Sequence, residues 1–155
     1  YRVFCSTKPY LPLKSYDDLS AFKIYISDIG LLRELAGLPP EAVLAGSAIY
    51  TEFKGALAEN YVLQSLVCQL EVLPRYWTSV GKAEVDFVVQ LEMDIVPVEV
   101  KSDTRIGGKS LSVYDSNYHP AYKIRYSLNN LKKDDNLINI PLYLADWTTK
   151  LVALH

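Results

Sequence analysis

Cysteine is nearly absent from this 155-residue chain. Cys5 and Cys68 are the only two, and neither stands in a Cys-x-x-Cys or other zinc-like spacing. Such usage fits a reducing cytoplasm, and Cys68, in an apolar helical stretch, is expected to be a buried free thiol. Histidine is equally scarce, with two residues. His119 precedes Pro120 in an expected turn, has no acid partner nearby in sequence and reads as a surface residue. No Ser-His-Asp or Cys-His arrangement is suggested. The longest apolar runs are far too short to span a bilayer, so no membrane partner is expected, and no signal-peptide pattern opens the sequence. Basic charge is also missing: 16 Lys and Arg stand against 18 Asp and Glu, for a net charge of -2. That balance argues against a broadly basic nucleic-acid-binding surface. Local clusters (Lys101, Arg105 and Lys109, or Lys132 and Lys133) are still placed to meet phosphates.

What is present is a domain's worth of apolar sequence. Half of the residues are hydrophobic and 22% are charged, the balance of a globular chain rather than a disordered one. The chain begins at Tyr1 rather than Met, and is expected to be a piece of a longer polypeptide. Residues 1–18 carry no clear period beyond a short strand at Tyr1 to Phe4. Phe22 to Ile26 alternates as a strand; Ser27 or Asp28 then caps a helix through Leu35, which Gly37 ends. Pro39 and Pro40 open a helical turn with Glu41 in it. The main helix is expected from Ser47 to about Leu70, and strands at Val72 to Ser79, Ala121 to Leu128 and Ile138 to Ala145. A helix from Lys109 to Asn117 follows the Gly107-Gly108 break, and Lys132 to Asn136 reads as a polar loop. The order predicts an α/β domain, a mixed sheet flanked by helices. Several of the twelve tyrosines, including Tyr25, Tyr50, Tyr61 and Tyr143, fall in apolar patterns and are expected in or near the core.

Two stretches carry the chemistry. Glu84-Val-Asp-Phe-Val-Val89 and Ile95-Val-Pro-Val-Glu-Val-Lys101 both alternate apolar and polar residues, the period of half-buried strands. Residues 90–94 between them suit a hairpin turn. In the first strand Val85, Phe87 and Val89 are expected on one face with Asp86 opposite; in the second, Glu99 and Lys101 oppose Val96, Val98 and Val100. Pairing would place Asp86, Glu99 and Lys101 on one face. Carboxylates at this density suit Mg2+ or Mn2+, hard cations that take oxygen ligands and keep several waters. Asp86 and Glu99 would be direct ligands, the Val100 carbonyl a third, and Lys101 would orient or polarise a water attacking a phosphodiester. Glu59 is the odd residue of the main helix, a carboxylate among Gly55, Ala56, Val62, Leu63 and Leu66 at helical spacing. It could add a ligand or hold a metal-bound water. The ordinary reading of an acid-lysine pair on a strand is an exposed ion pair of little consequence. The order acid on a helix, Asp on a strand, Glu-x-Lys on the next is what raises these four residues above it.

That order resembles the signature of the PD-(D/E)XK nuclease superfamily at Glu59, Asp86, Glu99 and Lys101, with Val85 where the short motif has proline. The resemblance implies a restriction-endonuclease-like mixed central sheet flanked by helices over residues 19–155. A second resemblance spans about Phe22 to Trp147. It is carried by Lys23-Ile-Tyr-Ile-Ser-Asp-Ile-Gly-Leu-Leu32, Gly55-Ala-Leu-Ala-Glu-Asn-Tyr-Val62, Tyr76-Trp77, Ala83-Glu-Val-Asp-Phe-Val88 and Val96-Pro-Val-Glu-Val-Lys-Ser102. These are similar to an uncharacterised C-terminal domain of bacterial and archaeal AAA-type ATPases. It implies that residues 1–18 end a winged-helix-like segment and that an ATPase module of the same full-length chain is a partner. The fragment itself is not expected to hydrolyse ATP: Gly107-Gly108-Lys109-Ser110 would need a glycine where Asp103 stands to be a P-loop. Two functions follow as expectations: magnesium-dependent phosphodiester hydrolysis on DNA, or a non-catalytic module that binds nucleic acid or protein and regulates the ATPase.

Overall fold

The computed structural model of the chain describes residues 1–39, 41, 51–104 and 107–154. Eight strands form one mixed sheet: β1 (Arg2–Ser6), β2 (Asp17–Ile24), β3 (Arg75–Thr78), β4 (Glu84–Leu91), β5 (Asp94–Val100), β6 (Lys123–Ser127), β7 (Lys132–Asp134) and β8 (Leu137–Pro141). Their order is β2-β1-β3-β4-β5-β6-β8-β7. The hairpin pairs β1/β2, β3/β4, β4/β5 and β7/β8 are antiparallel, whereas β1/β3, β5/β6 and β6/β8 are parallel. Four α-helices are described: α1 (Ile29–Leu35), α2 (Thr51–Val67), α3 (Ser110–Tyr118) and α4 (Thr148–Ala153). The fold is therefore mixed α/β, as the alternation of periods predicts.

The sheet is covered on both faces. Beneath α2, Val62, Leu63 and Leu66 pack on Val3, Tyr76, Phe87, Val89, Val96, Val98, Ile124, Tyr126, Ile138 and Ile140. On the other face, Leu111 and Tyr114 of α3 close over Trp77, Val85 and Val88, with Leu13 from the short 3-10 turn Leu13–Tyr16. Burying a side chain of this size contributes about 1.5–3 kcal/mol, so both layers matter to stability. Residues 1–18 belong to this architecture, since β1 lies between β2 and β3 and Leu13 is fully buried.

Local signals explain the element ends. The Asp28 side chain accepts a 2.8 Å hydrogen bond from the Leu31 N–H, an N-cap, and Gly37 at φ +65° closes α1. His119 ends α3 in the left-handed region just before Pro120. The turn between β4 and β5 is Glu92-Met93, with Leu91 still paired to Asp94. Pro97 is tolerated in a central strand because its missing N–H would face β6, whose pairing with β5 begins one residue later, at Val98. Within α2, Asn60 makes a two-way clamp on the chain just beyond β2: its Oδ1 accepts from the Ile26 N–H at 3.0 Å and its Nδ2 donates to the Ile26 carbonyl at 2.9 Å.

Several expectations are corrected. Lys132 to Asn136 is not a loop: it begins with β7, turned into β8 through Asp135 at φ 53°. The last strand stops at Pro141, and Leu142–Trp147 is a 3-10 helix. Cys68 lies one residue beyond α2 and is exposed, while Cys5 is buried. Tyr25 is buried and Tyr61 half-buried, but Tyr143 is exposed. The expected start of the main helix at Ser47, the turn at Pro40 and Tyr50 lie outside the described residues.

Candidate functional site

Strand β4 does not keep strict alternation. Trp77 pairs with Val85 and Arg75 with Val88, so two residues of β4, Asp86 and Phe87, oppose the single residue Tyr76. This is a β-bulge, which leaves one residue unpaired and re-aims its side chain. Its effect is visible in the packing: Val85 and Val88 belong to the layer under α3, and Phe87 and Val89 to the layer under α2. The expected common face of Val85, Phe87 and Val89 is thus corrected. The parity slips at Asp86, whose carboxylate turns along the sheet instead of straight off it.

There Asp86 Oδ2 accepts a 2.7 Å hydrogen bond from the Val100 N–H. The β4/β5 ladder ends at Phe87↔Val98, and the aspartate takes the place of the next backbone acceptor. The N–H of Lys101 donates the other way, to the Tyr126 carbonyl at 2.9 Å. N–H and C=O of one extended residue point to the same side, so the Val100 carbonyl also faces the Asp86 edge.

On the α2 side of this edge, Glu59 meets Lys23 of β2 and Tyr25 just beyond its end. Tyr25 donates its phenol to Glu59 Oε1. Lys23 Nζ lies 3.3 Å from the same oxygen and 2.5 Å from Glu84 Oε1. On the α3 side, Glu99 is almost fully buried, because Val98 and Val100 take the other face. Arg125 Nε donates to Glu99 Oε2 at 2.9 Å, and Lys101 Nζ lies 3.2 Å from Oε1. The backbone before α3 presses on it so closely that a Cβ at Gly108 would sit 2.2 Å from Glu99 Oε1.

The predicted four are thus partly assembled. Glu99 and Lys101 touch, and Asp86 is bonded to Val100 between them. Glu59 makes its contacts with Tyr25 and Lys23, and only its charge reaches Asp86. Burial pushes the Asp86 carboxyl up to about 7; the Val100 N–H opposes this, the Glu59 charge adds to it, and Lys23 and Lys101 oppose it. For Lys23, burial would favour the neutral amine, but the hydrogen bond to Glu84 and the charges of Glu59, Glu84 and Asp86 outweigh it and hold the ammonium above its ordinary range. Tyr25 is raised as well, by burial first and by Glu59 next, so it stays a donor. Arg105 lies outside the described residues, and Lys132 pairs with Asp134 at the far edge of the sheet.

Among the described residues no three Asp, Glu, His or Cys side chains stand together as a ready cage for a metal ion. The donors nonetheless fit a hard divalent cation, which is held in many sites by one or two carboxylates with waters and substrate phosphates. Asp86 and Glu99 supply carboxylates, Val100 a backbone carbonyl, and Asp86 has a neutral donor where a charged partner would relieve it. Lys23, Tyr25, Glu84, Arg125 and Gly108 were not expected from the sequence as site residues. Lys23 in β2 and Tyr25 just past its end stand two residues apart, but what they meet is on a helix 34 or more positions away.

The comparisons give one match. A family model described as Domain of unknown function (DUF4143) matches residues 54–144, from within α2 to just past β8, and so takes in Glu59, Asp86, Glu99 and Lys101. No curated protein and no solved structure matches. No helix among the described residues is long and apolar enough to cross a membrane.

Proposed function

The chain belongs to the DUF4143 family, and from that premise we propose that it is a nuclease-like domain acting on the phosphodiester backbone of DNA with Mg2+ or Mn2+. The observation that supports this reading best is the bulge at Asp86. A partly buried carboxylate accepts a hydrogen bond from the neutral Val100 N–H and is pushed up to about 7 by burial, with the Glu59 charge adding to the shift. A divalent cation bound there would favour the charged form of such an acid.

Asp86, Glu99 and the Val100 carbonyl would hold the ion, with Glu59 reaching in from α2. Bound there, it would neutralise the non-bridging phosphate oxygens and acidify a water. Arg125 fixes Glu99 from β6 and leaves Oε1 toward the partly exposed Lys101. The Lys101 ammonium, at the rim, orients the attacking water and offsets phosphate charge. Tyr25 holds Glu59 in place and, remaining protonated, does not compete as a base. We propose further that the fold is restriction-endonuclease-like and that the domain works beside an AAA-type ATPase module of its full-length chain, in the cytoplasm.

The test is Mn2+ titration of the purified domain, followed by nicking of supercoiled DNA. Wild type should bind about one ion and cut, while Asp86→Ala and Lys101→Ala should not cut. A preparation that binds no Mn2+ and cleaves neither duplex nor single strands would refute the reading.

One observation favours a second reading. Both oxygens of Glu99 already face cations, Lys101 and Arg125, which is how a structural ion network also looks. In that case the domain is a non-catalytic module that binds nucleic acid or protein and regulates the ATPase, and Glu99→Gln would leave its partner binding unchanged.

A further inference from the structure

The end of the sheet away from Asp86 and Glu99 carries a cavity. A hollow of about 500 Å3 opens between the chain after α2, the β4/β5 turn, the residue before β6 and the end of α4. Leu70, Leu91 and Val152 line its floor, half-buried at the margin of the main core. Tyr122, also half-buried, adds an aromatic ring to the lining. Glu71, Glu92 and Asp94 are exposed at the mouth. No lysine or arginine among the described residues lines the hollow, and none of the three acids joins an ion pair there. A smaller hollow of about 200 Å3 shares Tyr122 and Val152 but carries one acid, Asp135, and one base, Lys133. The uncompensated negative charge therefore lies over the larger one.

An apolar floor beneath a negative mouth selects its occupant. Phosphates are repelled there, so nucleic acid is a poor fit. Arginine and lysine side chains match both parts, because the aliphatic stem covers apolar surface while the charged head stays at the rim. An aromatic ring beside the carboxylates attracts such a head further. Tyr122 stays neutral, since burial, with Asp94 and Glu92 adding to it, pushes its phenol up to about 12. The volume exceeds a single side chain and leaves room for apolar neighbours on the floor.

We propose that this hollow docks a basic segment of a partner protein, an arginine or lysine flanked by apolar residues. The head meets Glu71, Glu92 and Asp94, and the stem and its neighbours lie on Leu70, Leu91 and Val152. Asp94 and Val100 are the two ends of β5, about 20 Å apart at the rise of a strand. The segment can therefore dock without covering Asp86 or Glu99, and the inference does not rest on the metal reading.

The probe is an acetylated, amidated pentapeptide with one arginine between leucines, titrated calorimetrically into the full chain in EDTA. Citrulline in place of the arginine keeps the shape without the charge and should weaken binding about tenfold. Glu92→Gln with Asp94→Asn, two exposed positions, should weaken the arginine peptide about fivefold. Ala153→Trp, on the exposed lining of the hollow, should fill it and abolish binding with every acid still in place. Thermal melts of both variants should match wild type. Equal binding of the arginine and citrulline peptides, binding unchanged in the variants, or no binding at millimolar peptide overturns the proposal. Spermidine binding as tightly as the peptide overturns the protein segment and makes the hollow a site for small amines.

Discussion

The Asp86 carboxylate takes a hydrogen bond of 2.7 Å from the backbone N–H of Val100, one step past the last paired residues of β4 and β5. A side chain thus finishes a sheet ladder, and it is a side chain with a charge to lose. Raised from 3.8 to about 7, it keeps its proton in the folded protein at pH values where the unfolded chain has released it. Stability from this group is greatest at acid pH and falls as pH climbs from about 4 to about 7. Asp86→Asn retains an acceptor for Val100 and has no charge to bury. In EDTA it should therefore be more stable than wild type at pH 8, by up to about 4 kcal/mol less the share screened by solvent, with the gap closing near pH 4. Urea melts at pH 4.5, 6 and 8 read this; a gap that widens toward acid pH contradicts it.

The same proton competes with metal. Mn2+ affinity of the wild type should fall below about pH 7, tenfold per unit at most for a single competing proton. Titrations at pH 6 and 8 in the same buffer ions decide the point, and equal affinities would remove Asp86 from the site.

Gly108 and Gly107 make a paired test. A methyl at Gly108 would lie 2.2 Å from Glu99 Oε1, while at Gly107 it would meet nothing within 4 Å. Glu99 cannot swing aside without breaking its contacts to Arg125 or Lys101. Gly108→Ala should cost about 1–3 kcal/mol and weaken Mn2+ binding, and Gly107→Ala should do neither. Thermal melts and calorimetry of the two variants side by side check it.

Arg75 belongs to stability alone. Its Nε and Nη2 donate to the two oxygens of Asp17 at 2.6 and 2.8 Å, and its Nη1 donates to the Leu73 carbonyl. Both side chains are nearly buried, 7% and 9% exposed. Arg75→Ala should destabilise by about 3–5 kcal/mol because it leaves a buried carboxylate unpaired. The double variant Arg75→Met with Asp17→Leu should recover most of that loss. Denaturant melts of both proteins separate the two outcomes.

Local signals in the sequence reached about as far as local physics does. Asp28 and Gly37 bracket α1 because capping is decided within four residues, and the alternation from Asp94 to Val100 places Glu99 opposite Val98 and Val100 correctly. The bulge was not legible: nothing in Glu84-Val-Asp-Phe-Val-Val marks the extra residue, which exists only against the partner strand β3. Lys23 and Tyr25 were missed for the same reason, since their meaning comes from a helix with which they share no sequence neighbourhood. Charged Lys132-Lys133-Asp134 looked like loop because exposure, not conformation, sets its composition; three polar residues suffice to close a sheet edge against further pairing.

Asn60 sits one position from Glu59 and grips both backbone groups of Ile26. The distance from helix to outer strand is therefore set by an amide that has no part in the chemistry. A substitution there would shift Tyr25 and the acid it steadies as one unit. In a systematic screen Asn60 would score like a reactive residue, although its hydrogen bonds to Ile26 both go to main chain.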